Sequence, residues 1–194
     1  MTRHGKRNIL MKNKAYDLAS YTFSAGEKIF LDTNIWFYLF PAPSGKPDRF
    51  AYQYSAAFAR LIAANAQPVL SPMVLSEYLN KYMRMEWQGG YAKQYPEFKK
   101  FRKSPDFTTI AVSMNVFAQK ILQHCQVHGL AANALNLKQA LNELTTGKVD
   151  FNDAVFIDIC KQSNFKLMTN DSDFQNGGIE ILTTNPALLK ACPQ

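Results

Sequence analysis

Short apolar runs alternate along the chain with longer stretches of helical spacing. Lys28-Ile29-Phe30-Leu31-Asp32 reads as a buried strand that ends in an acid, and Pro68-Val69-Leu70 as a second. Phe165-Lys166-Leu167-Met168-Thr169 and Ile179-Glu180-Ile181-Leu182 predict two more. From Asp48 to Asn65 the apolar positions Phe50, Tyr54, Phe58, Leu61 and Ile62 follow a helical period. Ser71-Pro72 opens the next helix, with Ser as N-cap and Pro at the first helical position; it is expected to run to about Trp87 and to break at Gly89-Gly90. Further helices are predicted from about Phe107 to Val127, from about Leu135 to Leu144 ending at Gly147, and over Phe151–Ser163 capped by Asp150. Asn185-Pro186 starts a short terminal helix. Strands and helices in this alternation imply an α/β fold, with a mostly parallel sheet between helical layers.

The 194 residues suit one domain with an insertion, and 47% hydrophobic residues are enough for a core. We divide the chain into a basic leader, residues 1–27, and a single domain, 28–194, carrying a helical, basic insertion over about 88–148. The leader shows no recognisable element, so Met11 is an alternative start. The longest uncharged apolar stretch, Ile35–Pro43, is about half of what a membrane span needs, and no signal-like segment is present. Cys125, Cys160 and Cys192 lie far apart without a CxxC pair, which argues against a disulfide framework or zinc site and for a reducing, cytoplasmic setting.

Charge sharpens the picture. Lys and Arg number 22 against 15 Asp and Glu, a balance that suits a polyanionic partner such as nucleic acid. The excess sits in residues 3–14 and 81–103, the latter including Lys99, Lys100, Arg102 and Lys103 interleaved with Tyr91, Tyr95, Phe98 and Phe101. Basic residues with aromatics between them can hold phosphates and stack on unpaired bases, so this segment is a candidate nucleic-acid arm as well as an ordinary solvated insertion. Seven of the 15 acids, in contrast, fall between residues 143 and 180.

Four segments place an acid at a strand end or helix start. Asp32 follows the first strand and can cap the helix that begins near Ile35. Glu77 lies about 60° outside the apolar stripe of its helix, at the margin of a buried face. Asp150 and Asp153 resemble a capping box on a helix that is apolar almost all round, so the Asp153 carboxylate needs a partner. Asp171 and Asp173 follow the third strand, in a cluster that also reads as a turn. A parallel sheet gathers such groups beyond the carboxyl ends of its strands. Carboxylates sharing a cleft raise one another's pKa, and a hard divalent cation is the natural compensation.

Lys-Ile-Phe-Leu-Asp32-Thr-Asn34-Ile-Trp, Val-Leu-Ser-Glu77-Tyr, Asp150-Phe-Asn-Asp153-Ala and Leu-Met-Thr-Asn-Asp171-Ser-Asp173-Phe, in this order, resemble the PIN-domain ribonucleases. Within that family the chain is most similar to the toxin halves of VapBC-type toxin–antitoxin pairs, over roughly Lys28–Leu189. The resemblance implies a three-layer α/β/α, Rossmann-like fold and an endoribonuclease dependent on Mg²⁺ or Mn²⁺. It implies Asp32, Glu77, Asp153 and Asp171 as catalytic metal ligands, with Asp173 as an additional acid. Thr33, Asn34, Asp150 and Thr169 would orient ligands or water. RNA is the implied substrate, an antitoxin protein a partner, and a homodimer the implied assembly. The segment between Glu77 and the third acid is longer than compact toxins need.

Other readings share parts of this pattern. A haloacid-dehalogenase-like phosphatase needs a second Asp two residues after the first, and Asn34 stands there. A non-catalytic RNA-binding or protein-docking module, a DNA-directed nuclease and a general RNA-processing nuclease without an antitoxin remain alternatives. His4, His124 and His128 match no catalytic motif; His124 and His128 are read as surface or helix-terminal.

Overall fold

The computed structural model describes residues 11–46, 48–129, 135–145 and 150–192. Residues 1–10 of the basic leader and Gly147, expected to end a helix, lie outside them. Among the described residues six strands form one sheet: β1 (Lys14–Asp17), β2 (Lys28–Leu31), β3 (Gln67–Leu70), β4 (Gln126–Val127), β5 (Lys166–Met168) and β6 (Glu180–Thr183). Their order is β1-β6-β5-β2-β3-β4, and every pairing between them is parallel. Successive residues Ile29, Phe30 and Leu31 are all fully buried. Neighbouring residues on a strand point to opposite faces, so β2 is covered on both sides, as a central parallel strand must be.

Among the described residues eight α-helices connect and cover the strands: α1 (Thr33–Leu39), α2 (Ala51–Ala63), α3 (Pro72–Glu86), α4 (Phe98–Phe101), α5 (Pro105–His124), α6 (Leu137–Leu144), α7 (Phe151–Ser163) and α8 (Pro186–Ala191). α1 packs on α2 and α3, and α3 on α5, while α6 packs on α7. α7 meets the sheet through Phe156, whose ring lies 5.4 Å from that of Phe30. No helix among the described residues is long and apolar enough to cross a membrane, and the three cysteines are free thiols.

The chain leaves β2 toward β3 and β4 on one side, then returns to β5 and β6 on the other. The connections therefore diverge between β2 and β5, which open a crevice at their carboxyl ends.

Three features depart from the sequence expectations. First, the leader contributes to the sheet: β1 pairs with β6 from Lys14↔Glu180 to Asp17↔Thr183. Its sequence, KAYD, shows no apolar run because the strand lies at an edge and only Ala15 is buried. Second, α3 ends at Glu86, close to the expected Trp87, but the chain does not break at Gly89-Gly90 and passes through them as a π-helical turn, Trp87–Tyr91. A Cβ at Gly89 would lie 2.5 Å from Ser44 Cβ, so glycine here admits the α1–α2 loop rather than breaking the helix. Third, β4 is a two-residue edge strand hidden in the expected end of α5.

Asn13, also in the leader, is 1% exposed. Its amide donates to Phe174 O (3.0 Å) and Asn176 O (3.2 Å) and accepts from Ile179 N (3.0 Å). Buried polar groups left without partners cost about 1–3 kcal/mol. Asn13→Ala is therefore expected to lower the melting temperature by roughly 2–4 °C per kcal/mol lost, as read by calorimetry. An unchanged melting temperature would show that residues 11–17 do not brace the fold.

Candidate metal centre

At the crevice, one cleft of about 240 Å³ is lined by Asp32, Glu77, Asp150, Asp153, Asp171 and Asp173, with Thr33, Asn34, Asn152 and Lys81. Six carboxylates from four separate segments thus face one space, and among the described residues Lys81 is the one cation lining it.

Asp32 is held most tightly. It is 6% exposed and caps α1: Oδ1 accepts from Thr33 N at 2.6 Å, while Oδ2 accepts from Thr169 Oγ1 at 2.6 Å and from the Asn34 amide. The cap and the cleft-lining role coincide. Thr169 follows β5 directly, so its hydroxyl ties the ends of the two central strands together. Thr169 Oγ1 in turn accepts from Asp171 N at 3.0 Å, and Asp171 Oδ1 accepts from Asp173 N at 2.9 Å. Asp171 and Asp173 are exposed and line the cleft from a turn.

Asp150 caps α7 by accepting from Asn152 N at 3.0 Å, which leaves Asp153 on the first turn facing the cleft. Glu77 reaches it from α3, half-buried. Burial pushes Asp153 up to about 8, helped by the charges of Asp32, Asp171, Asp150 and Glu77. Burial likewise raises Asp32 to about 6, against the pull of the Thr169 and Thr33 hydrogen bonds, with Glu77 and Asp171 adding to the rise. The amide donors do not offset so many acids.

Contrast the other end of the strands, where a larger cavity of about 630 Å³ is lined by Glu27, Lys28, Lys166 and Glu180. There Lys166 Nζ pairs with Glu27 at 2.7 Å and Glu180 at 3.3 Å. Charge is matched at that end and unmatched in the acid cleft.

The all-oxygen donor set fits a hard divalent cation such as Mg²⁺ or Mn²⁺, which takes one or two carboxylates and fills the rest with water and phosphate oxygens. Asp32, Glu77, Asp153 and Asp171 are the groups that would hold it. Among the described residues no three acids, histidines or cysteines converge closely enough to hold an ion as they stand. The exposed Asp171 and half-buried Glu77 and Asp153 have room to change rotamer toward Asp32, which its three donors keep in place.

Sequence reasoning missed several supporting groups. Tyr54, buried on α2, places its hydroxyl 3.0 Å from Thr169 O and from Asn170 Oδ1, bracing the β5 end. Asn170 amide donates to Tyr38 Oη at 2.8 Å, and Asn185 amide to Asn170 O at 2.7 Å. Only the position of Lys81, one helical turn after Glu77, was a signal.

The candidate arm is not part of this site. Lys99, Lys100, Arg102 and Lys103 are exposed and do not line the cleft. The aromatics between them turn inward: Phe101 is fully buried, its ring 4.9 Å from Tyr91 and 5.6 Å from Phe107, and Tyr95 Oη donates to Asp106 at 2.7 Å. Phe101 belongs to the hydrophobic core, and Tyr91, Tyr95, Phe98 and Phe107 pack against it. His124 and His128 lie edge-on to Phe58 and Phe165 and line no part of the cleft.

The profile described as PIN domain matches residues 29–179. Among solved structures, the chain is similar to VapBC2 from Rickettsia felis bound to a DNA fragment from its promoter (TM-score 0.48, 18% identity, covering 80% of this chain and 98% of that one). It is also similar to PAE2754 from Pyrobaculum aerophilum (TM-score 0.45, 13% identity, 87% and 98% covered). No curated protein matches the chain.

The raised acids carry a pH signature. A carboxyl whose folded pKa exceeds its unfolded value near 3.8 stabilises the fold at low pH and loses that contribution as pH rises through the folded pKa. The metal-free protein is therefore expected to lose stability between about pH 4 and pH 8, through Asp32 near 6 and Asp153 near 8. Asp153→Asn should flatten the upper part of this fall and raise the melting temperature at pH 8 in chelator. Thermal melts across that range check it; a flat profile in the wild type would contradict the assigned repulsion.

Proposed function

Since the chain belongs to the PIN-domain family, we propose that it is a divalent-cation-dependent endoribonuclease that hydrolyses phosphodiester bonds of RNA. PIN domains are generally nucleases. The observation that carries the reading is the convergence of six carboxylates from four segments on the crevice between β2 and β5, with one lysine to offset them.

A bound divalent cation supplies there the charge neutralisation and Lewis acidity that activate water and stabilise the transition state of phosphodiester hydrolysis. The chain's own residues do the rest. Asp32 is locked by Thr33, Asn34 and Thr169, so its position does not drift as charge develops opposite it. Glu77 and Asp153 line the cleft from two helices and Asp171 from the β5 loop. Asp150 and Asp173 contribute negative potential from the rim; Asp150 caps α7, and Asp171 Oδ1 holds the β5 loop by accepting from Asp173 N.

The motifs around Asp32, Glu77, Asp153 and Asp171 are closest in pattern to the toxin component of a VapBC-type pair, and we assign that role, with an antitoxin as the inhibiting partner and a cytoplasmic site of action. The stated spread of the acids favours a second reading, an RNA-binding or protein-docking module that does not assemble a metal centre.

One assay separates them: cleavage of a mixed RNA pool, and of single-stranded DNA, with Mg²⁺ or Mn²⁺. Wild type should cut RNA, and both EDTA and Asp32→Asn should reduce cutting by about 100-fold or more. Inactivity of the purified, antitoxin-free wild type with either metal, or equal cutting by Asp32→Asn, would instead support the non-catalytic module.

A further inference from the structure

Beside the acid cleft, the carboxyl end of α1, the loop after it and the start of α2 enclose a second hollow of about 510 Å³. That lies within the roughly 300–1,000 Å³ of small-molecule pockets. Its walls are mostly apolar, with Phe37, Tyr38, Pro41, Ala51 and Met85 among them. Asn34 and Lys81 line both hollows, so the two are continuous across a shared rim.

The charges of the two spaces are opposite. Lys46 and Lys81 line the apolar hollow against a single acid, Asp48, whereas the cleft beside it carries six. Lys81 Nζ lies 5.2 Å from the centre of the Phe37 ring and forms no ion pair among the described residues. Tyr38 Oη accepts from Asn170, and its own hydrogen has no acceptor among the described residues. A flat apolar group with hydrogen-bonding edges, joined to an anion, matches these walls. An apolar protein segment matches less well, because covering the two ammonium groups would cost desolvation without return.

We propose that this hollow is a nucleotide subsite, in which one unpaired base of the RNA strand sits while Lys81 neutralises the phosphate linking that nucleotide to the one over the acids. The proposal rests on the ribonuclease reading and deepens it. Cutting would then depend on a nucleotide whose base can leave its stack. Base contact with an aromatic wall is tolerant of sequence, so Tyr38 and Asp48 are the groups that would discriminate among bases by their edges.

The test measures binding, on the Asp32→Asn background so that the strand survives. Octamers of uridylate or adenylate are compared with an octamer of abasic ribose phosphates, which has the same charge and no bases. Base-bearing octamers should bind about 5- to 150-fold more tightly, the range that stacking of one base gives. Ala51→Trp, which fills the hollow, should remove most of that gain, with Met85→Trp as the second variant should the first fail to fold by its melting curve. Lys81→Met should reduce the slope of log affinity against log salt by about 0.7, the share of one phosphate on a single strand, and Lys81→Arg should restore it. Equal binding of the abasic octamer, or a folded, filled variant that binds as its parent does, would overturn the subsite and leave the hollow to an apolar protein segment. The ribonuclease reading is scored separately: wild type that cuts RNA with metal while the filled variant binds unchanged sinks only the subsite. Base-dependent binding without any metal-dependent cutting sinks only the enzyme.

Discussion

The hydrogen bond from Thr169 to Asp32 is the contact on which the rest of the site depends. It joins the ends of β2 and β5, two adjacent central strands whose connections run in opposite directions. A carboxylate buried at this point would be costly alone, since desolvation disfavours its charged form. Thr33 N at the start of α1, the Asn34 amide and the Thr169 hydroxyl each return part of that cost. The same three donors fix where its remaining lone pairs can act. Tyr54 and Asn170 hold Thr169 and its loop from behind, so the geometry is set by α2 as well as by the sheet.

Around this anchor the fold accumulates charge that it does not neutralise. The lysines of this basic protein lie elsewhere: Lys166 is matched by Glu27 and Glu180 at the opposite strand ends, and Lys99, Lys100, Arg102 and Lys103 coat the outside of an aromatic cluster. A protein with a formal charge of +7 thus concentrates six acids in one cleft and keeps Lys81 alone at its edge. That distribution costs stability in the metal-free state and gives a divalent cation its largest electrostatic gain at one place.

The central strands and the acids were readable in the sequence because both obey local rules. A strand buried on both faces, such as Ile29-Phe30-Leu31, must be apolar throughout, and the acids fall at its end or at helix starts where capping signals mark them. What escaped was set by distant contacts. β1 is a strand because β6 offers an edge, not because KAYD prefers one, and β4 exists because Val69 and Leu70 need a neighbour. Gly89 signals a close approach of Ser44, 45 positions earlier in the chain, and reads locally as a break. The aromatics of the insertion have the composition of a base-stacking surface and the burial of a core; only tertiary packing distinguishes the two. Tyr54 and Asn170 have no local signal at all, since their roles exist only where α2 meets the β5 loop.

Burial and mutual repulsion raise these acids, and a divalent cation that discharged them would displace protons. Titration calorimetry of Mn²⁺ into the metal-free protein at pH 7, in two buffers of different ionisation enthalpy, counts the protons released per ion. With Asp153 near 8 and Asp32 near 6, only Asp153 is largely protonated at that pH. About one proton should therefore leave for each ion bound, and Asp153→Asn should abolish that release. Binding with no proton release, or no binding at millimolar Mn²⁺, would contradict the claim.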